Sequence, residues 1–149
     1  MALAIELQND AALGGVPAEE RFHAWVEAAL RSDYAALEQT IRVVDETESR
    51  ELNHRYRGKD APTNVLAFAY DGAELGYDCL GDLVICAPLV EAEAAEQGKA
   101  VDAHWAHLVV HGMLHLQGYD HRDDNEAARM EALEAQILGI LGYTNPYNA

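Results

Sequence analysis

Cysteine is nearly absent from this chain: Cys79 and Cys86 are the only two in 149 residues. Two cysteines do not make a disulfide framework, and a chain of this length can bury a core without covalent staples. Cys86 closes a run that reads as a buried strand, so free thiols are expected rather than a bridge. Basic residues are also scarce, ten against 26 acidic ones, for a formal net charge of -16. That balance argues against general attraction to nucleic acid or to anionic membranes, and no DNA or membrane partner is expected. Long apolar runs are missing as well. Met1 to Asp10 carries Glu6 and Asp10 and has no basic leader, so neither a signal peptide nor a membrane span is expected, and the cytoplasm is the default location. With no internal repeat or low-complexity segment, residues 1–149 read as one domain.

The few cations are unevenly spread. Arg50, Arg55, Arg57 and Lys59 fall within ten positions, with His54 among them. A local basic patch on an acidic body can bind a polyanion at one place while repelling it elsewhere. Charge alone favours the plainer reading, a solvated helix end and loop.

Histidine, by contrast, is concentrated. Five of the seven lie between positions 104 and 121, and His111, His115 and His121 have the spacing H-x-x-x-H-x-x-x-x-x-H. Residues four apart share one face of a helix, so His111 and His115 can aim two imidazoles at one ion. Gly118 falls where a helix would end in a left-handed residue, which glycine adopts without steric cost, and the chain can then turn back to bring His121 to the same ion. Three neutral imidazoles around a divalent ion leave a fourth position for water, the arrangement of a catalytic rather than a closed structural zinc site. One zinc per chain is expected, although nickel or cobalt would accept the same donors. A lone histidine would be read as a packed or surface residue; three in this spacing, with the glycine at the turn, point to metal. His107, one turn before His111, either orients a ligand or is merely packed. Asp120, close in sequence to the three histidines, either carries a proton as general acid or base or only braces the loop that presents His121, and His104 reads as a surface residue.

The spacing is also similar to the metzincin peptidase signature H-E-x-x-H-x-x-G-x-x-H, except that Gly112 stands where those peptidases carry their general-base glutamate. A peptidase reading loses its proton acceptor there.

Periodicity predicts strands near 1–8, 37–45, 65–70 and 80–86. The stretch through Asp71, Gly72, Gly76 and Asp78 reads as a loop. A helix starts at Pro17 and carries the stripe Phe22, Trp25, Val26, Ala29 and Leu30. Further helices are expected over Glu46 to Tyr56, from Pro88 to near Gly98, over Val101 to Gln117, and over Arg129 to Leu141 behind an N-cap at Asp123 or Asp124, with a tail from Gly142. These elements suggest an α+β or mixed α/β architecture: one domain, a small mixed four-stranded sheet packed with about five helices, and the metal site on a central helix and the loop after it.

Three blocks are specific enough to suggest a family. The runs from Glu51 to Leu66 (ELNHRYRGKDAPTNVL), from Leu80 to Cys86 (LGDLVIC) and from His107 to His121 resemble, in the same order, the YbeY family of bacterial metal-dependent endoribonucleases. The resemblance implies a single α+β domain with a three-histidine zinc site that acts on single-stranded RNA. It further implies a role in maturation of small-subunit ribosomal RNA and in ribosome quality control, with the small ribosomal subunit and assembly factors as partners. The family's ligands carry over to His111, His115 and His121, and its functional arginine to Arg57, making Arg57 and His111 the expected catalytic residues. Ala67 and Ala69 depart from the serine and proline common in that family. A guanidinium beside the metal could hold a phosphate by two parallel hydrogen bonds and stabilise charge building on it. Without the resemblance, a helix-end salt bridge would account for Arg57 equally well. Two alternatives remain: a zinc peptidase or amide hydrolase, and a ribosome-assembly binding factor with structural zinc, which the net acidity favours.

Overall fold

The computed structural model describes residues 2–69 and 79–147. Among these the elements run β1 (Ala2–Gln8), α1 (Glu19–Ala29), β2 (Ala36–Val44), α2 (Glu46–Arg57), β3 (Val65–Ala69), β4 (Gly81–Cys86), α3 (Ala87–Gln97), α4 (Val101–Leu116) and α5 (Asp124–Ile140). Met1, the expected loop through Asp71, Gly72, Gly76 and Asp78, and Tyr70 lie outside the described residues. Cys79 and Cys86 form no disulfide among the described residues. No helix among the described residues is long and apolar enough to cross a membrane.

The sheet order is β1-β2-β4-β3. β1 and β2 run parallel, as do β2 and β4, while β3 pairs antiparallel with β4, from Val65 opposite Ile85 to Ala69 opposite Gly81. The expected mixed α+β architecture is the one observed. Alternation decides which side chains meet the helices. Ile41, Val43, Leu83 and Ile85 join the main core, whereas Val44, Leu66, Val84 and Cys86 form a smaller cluster on the other face, covered by Leu52 of α2.

α4 is the central helix. It packs on α1, α3, α5, β3 and β4, and it is buried on nearly every side, from His104 to Leu116. Phe22 stacks edge-to-face on Trp105 with centroids 5.7 Å apart, and each such fully buried aromatic contributes roughly 1.5–3 kcal/mol by leaving water. At Gly112 the helix lies so close to β4 that a Cβ would stand 2.6 Å from Leu83 Cδ2. A side chain at that position would have to displace Leu83.

Helix ends follow local chemistry. Asp45 caps α2 by accepting from the Glu48 N–H at 2.9 Å, acidic residues fill the first turn, and His54, Arg55 and Arg57 fill the last, where the helix dipole favours cations. Asp123 caps α5 in the same way. α5 therefore begins at Asp124, more than a turn before the expected Arg129, because the cap and the acidic first turn are enough to start it. The expected tail is not free either. Tyr143 Oη donates to Asp102 Oδ2 at 3.0 Å and accepts from Trp25 Nε1 at 3.3 Å, while Tyr147 Oη reaches Glu134 at 3.0 Å, so polar tips anchor a segment that has no helical or strand periodicity.

Candidate metal centre

One turn of α4 separates His111 from His115, and their ring centroids lie 4.7 Å apart. The helix then stops as its glycine predicts. Gly118 has φ +98°, its N–H bonds to the His115 carbonyl at 3.0 Å, and the Tyr119 N–H bonds back to the Leu114 carbonyl at 3.0 Å. This pair of bonds is a Schellman ending, which satisfies the last carbonyls and reverses the chain. The reversal brings the His121 ring to 5.0 Å from His115 and 5.9 Å from His111.

These separations can be tested against what one ion would need. An imidazole centroid sits roughly 3.2 Å from a tetrahedral zinc, so two ligand rings should be roughly 5.2 Å apart. The three observed distances bracket that value. Burial, reinforced by its two histidine neighbours, pushes the His115 pKa down, which favours the neutral form that can donate to a metal.

A carboxylate that the sequence reading missed sits behind the rings. Glu134 of α5 is 1% exposed, and its Oε1 lies 3.2 Å from His111 Nδ1, 2.9 Å from His107 Nε2 and 3.0 Å from Tyr147 Oη. Burial by itself would raise this carboxyl, but the hydrogen bonds from His107 and His111 outweigh it and hold the pKa at about 2. With the carboxylate accepting from Nδ1–H, the His111 tautomer is set and Nε2 keeps its lone pair free to donate. His107 therefore orients this carboxylate rather than merely packing. The signal in the sequence was a glutamate among Met130, Ile137 and Leu138 on the buried stripe of α5.

Asp120 lies against the same rings. Its Oδ1 accepts from the His121 N–H at 2.7 Å, and donor atoms of His115, Asp120 and His121 all lie within 4.8 Å of one another. His111 stands outside that tightest set, so the structure offers a carboxylate as well as an imidazole beside the pair His115 and His121. His104, read from sequence as a surface residue, is instead 3% exposed and bonds Glu93 at 2.8 Å; Glu93 also accepts from Asn64 at 3.0 Å, so His104 braces the segment entering β3. Its place on α4 facing α3 hides it, which spacing could not reveal.

Arg57 shares one cleft of about 560 Å³ with His111, His115, His121 and Asp120, floored by Gly112 and by Val65, Ala67 and Ala69 of β3. Its Nη2 donates to the Ala67 carbonyl at 3.4 Å. The small side chains at 67 and 69 keep this wall of the cleft low.

Comparison with known proteins agrees in both sequence and fold. The family model described as "Endoribonuclease YbeY" matches residues 6–142. A protein of that name from Pseudomonas entomophila is 55% identical over 149 residues, covering 99% of this chain and 93% of that one. Another, from Pseudomonas syringae pv. tomato, is 59% identical over 133 residues, covering 88% and 80%. A solution structure of a Thermotoga maritima protein matches with a TM-score of 0.53 at 23% identity over 99% of both chains, a likeness of fold. A match running from β1 to the end of α5, through the helix that carries the histidines and the arginine turn facing it, makes this chain a member of the YbeY endoribonuclease family.

Proposed function

We propose that this chain is a zinc-dependent endoribonuclease, a single catalytic domain over residues 1–149, that cuts single-stranded RNA. Its biological substrate in this reading is ribosomal RNA of the small subunit, in the cytoplasm, during rRNA maturation and ribosome quality control. The small ribosomal subunit and its assembly factors are the partners. One observation carries the reading: in a chain of this family, three imidazoles and a cation distant from them in sequence line a single open cleft.

His111, His115 and His121 would hold the ion, with Asp120 as a further donor. When bound there, zinc supplies Lewis acidity, lowering the pKa of water to roughly 7 and polarising a phosphoryl oxygen. Glu134 keeps His111 in the donating tautomer. Arg57 grips the phosphate through the two parallel N–H groups of its planar fork and opposes the negative charge that grows on the non-bridging oxygens during attack. The edge of β3 confines the substrate strand beside that arginine.

The acidity of the chain suits RNA delivered on a ribosomal particle better than free RNA, and it also favours the binding-factor alternative. A peptidase reading is weakened by Gly112, which supplies no general-base carboxylate. The deciding experiment measures metal content and cleavage of single-stranded RNA by wild type and His111→Ala, with a peptide substrate in parallel. RNA cleavage that disappears with the metal supports the proposal; metal-loaded wild type that leaves both naked and ribosomal RNA uncut would sink it.

A further inference from the structure

β3 is an edge strand, and its two faces look into two different clefts. Ala67 and Ala69 face the histidines. Phe68, between them, faces a second cleft of about 690 Å³ on the outer side of the sheet, lined also by Leu52 and Tyr56 of α2, Arg42 of β2, and Val84 of β4. The last turn of α2 straddles the strand. Arg57 reaches Ala67 on the histidine side, and the residue before it, Tyr56, packs its ring edge-to-face on Phe68 at 5.2 Å and 70° on the other. Tyr56 is nevertheless 58% exposed.

We propose that Tyr56, buttressed by Phe68, is a stacking subsite for a nucleobase of the RNA strand whose phosphate Arg57 holds. The inference rests on the endoribonuclease reading and adds to it a contact outside the metal cleft.

Adjacent residues have Cα atoms about 3.8 Å apart, so a ring and a guanidinium on neighbouring positions can address the base and the phosphate of neighbouring nucleotides. The charge distribution favours such a contact. Of the ten cations, Arg21, Arg42, Arg50 and Arg122 are already paired with carboxylates. On a chain of net charge -16 the remaining cations at the end of α2 supply a short run of phosphate contacts, and an uncharged source adds to the affinity for a strand. Base stacking is such a source, and it tolerates any base because every base has a π-face. Phe68 holds the Tyr56 ring in place before RNA arrives, which lowers the entropy lost on binding.

The test uses the metal-loaded enzyme and a single-stranded RNA oligonucleotide, intact or carrying one abasic nucleotide at successive positions around the cleaved bond. Wild type, Tyr56→Ala and Tyr56→Phe are compared for KM and kcat, with melting temperature and metal content checked on each preparation. Tyr56→Ala should raise KM by about 5- to 100-fold with kcat nearly unchanged, and Tyr56→Phe should recover it, because the ring and not the hydroxyl does the stacking. One abasic position should raise the wild-type KM by a similar factor and add nothing further in Tyr56→Ala. Equal KM for wild type and a folded, metal-loaded Tyr56→Ala overturns the subsite and leaves the ring to a protein partner, with the endoribonuclease reading intact. Abasic and Tyr56→Ala effects that multiply independently overturn it too. A wild type that cleaves no RNA overturns both readings.

Discussion

Glu134→Gln should weaken metal binding although Glu134 is not among the candidate donors. The carboxylate accepts from His111 Nδ1 at 3.2 Å, His107 Nε2 at 2.9 Å and Tyr147 Oη at 3.0 Å, all on the same oxygen. Glutamine keeps the shape and loses the charge, and its amide can present the oxygen to these donors only more weakly. Removing a carboxylate behind a metal-bound histidine typically lowers affinity about 10- to 100-fold, equivalent to about 1.4–2.8 kcal/mol. Competition with a chromophoric zinc chelator reads that loss directly. Stability of the metal-free protein supplies a second readout. The Glu134 pKa is depressed from 4.5 to about 2, so its ionised form stabilises the fold fully above the ordinary carboxylate range, and that contribution fades as pH falls toward 2. The shift corresponds to a stability contribution on the order of 3 kcal/mol. Wild type should therefore melt above Glu134→Gln at neutral pH, and the gap should close between about pH 4.5 and 2. Unchanged zinc affinity together with a gap independent of pH would refute the role assigned to this carboxylate.

Other changes probe the cleft itself. His115→Ala should lose the metal under either donor set, and elemental analysis showing full occupancy would remove the site. His111→Ala and Asp120→Asn separate the two sets: the three-histidine centre predicts the larger affinity loss for His111→Ala, and the reverse order would assign the third position to the carboxylate. Gly118→Val should impair zinc titration while touching no donor, because a β-branched residue at φ +98° costs about 1–3 kcal/mol; unchanged affinity would show that the turn adapts. Arg57→Ala should keep fold and metal yet lose about 2–4 kcal/mol of transition-state stabilisation, roughly thirty- to a thousand-fold in rate. Arg57→Lys should recover part of it; a folded, metal-loaded Arg57→Ala that cuts RNA at the wild-type rate would take Arg57 out of the reaction.

Some of this architecture is written in short-range chemistry that a sequence displays openly. The H-x-x-x-H spacing, the glycine that ends the helix left-handed, Asp45 and Asp123 as caps, and the alternation of β2 all concern residues within one or two turns of each other, where geometry follows from the backbone period alone. They were sufficient to specify His111, His115 and His121 as one group and to outline a mixed sheet with five helices. Arg57 needed the resemblance, because nothing local distinguishes a guanidinium at a cleft from one in solvent. Glu134, Tyr147 and His104 needed the tertiary structure. Each looks, in its own element, like an ordinary surface polar residue or a stray one on an apolar stripe, and only the docking of α5, α3 and the C-terminal segment onto α4 buries Glu134 and His104 and brings the exposed Tyr147 onto Glu134. Packing between elements sets which polar groups lose water together, and no period along a single helix records it.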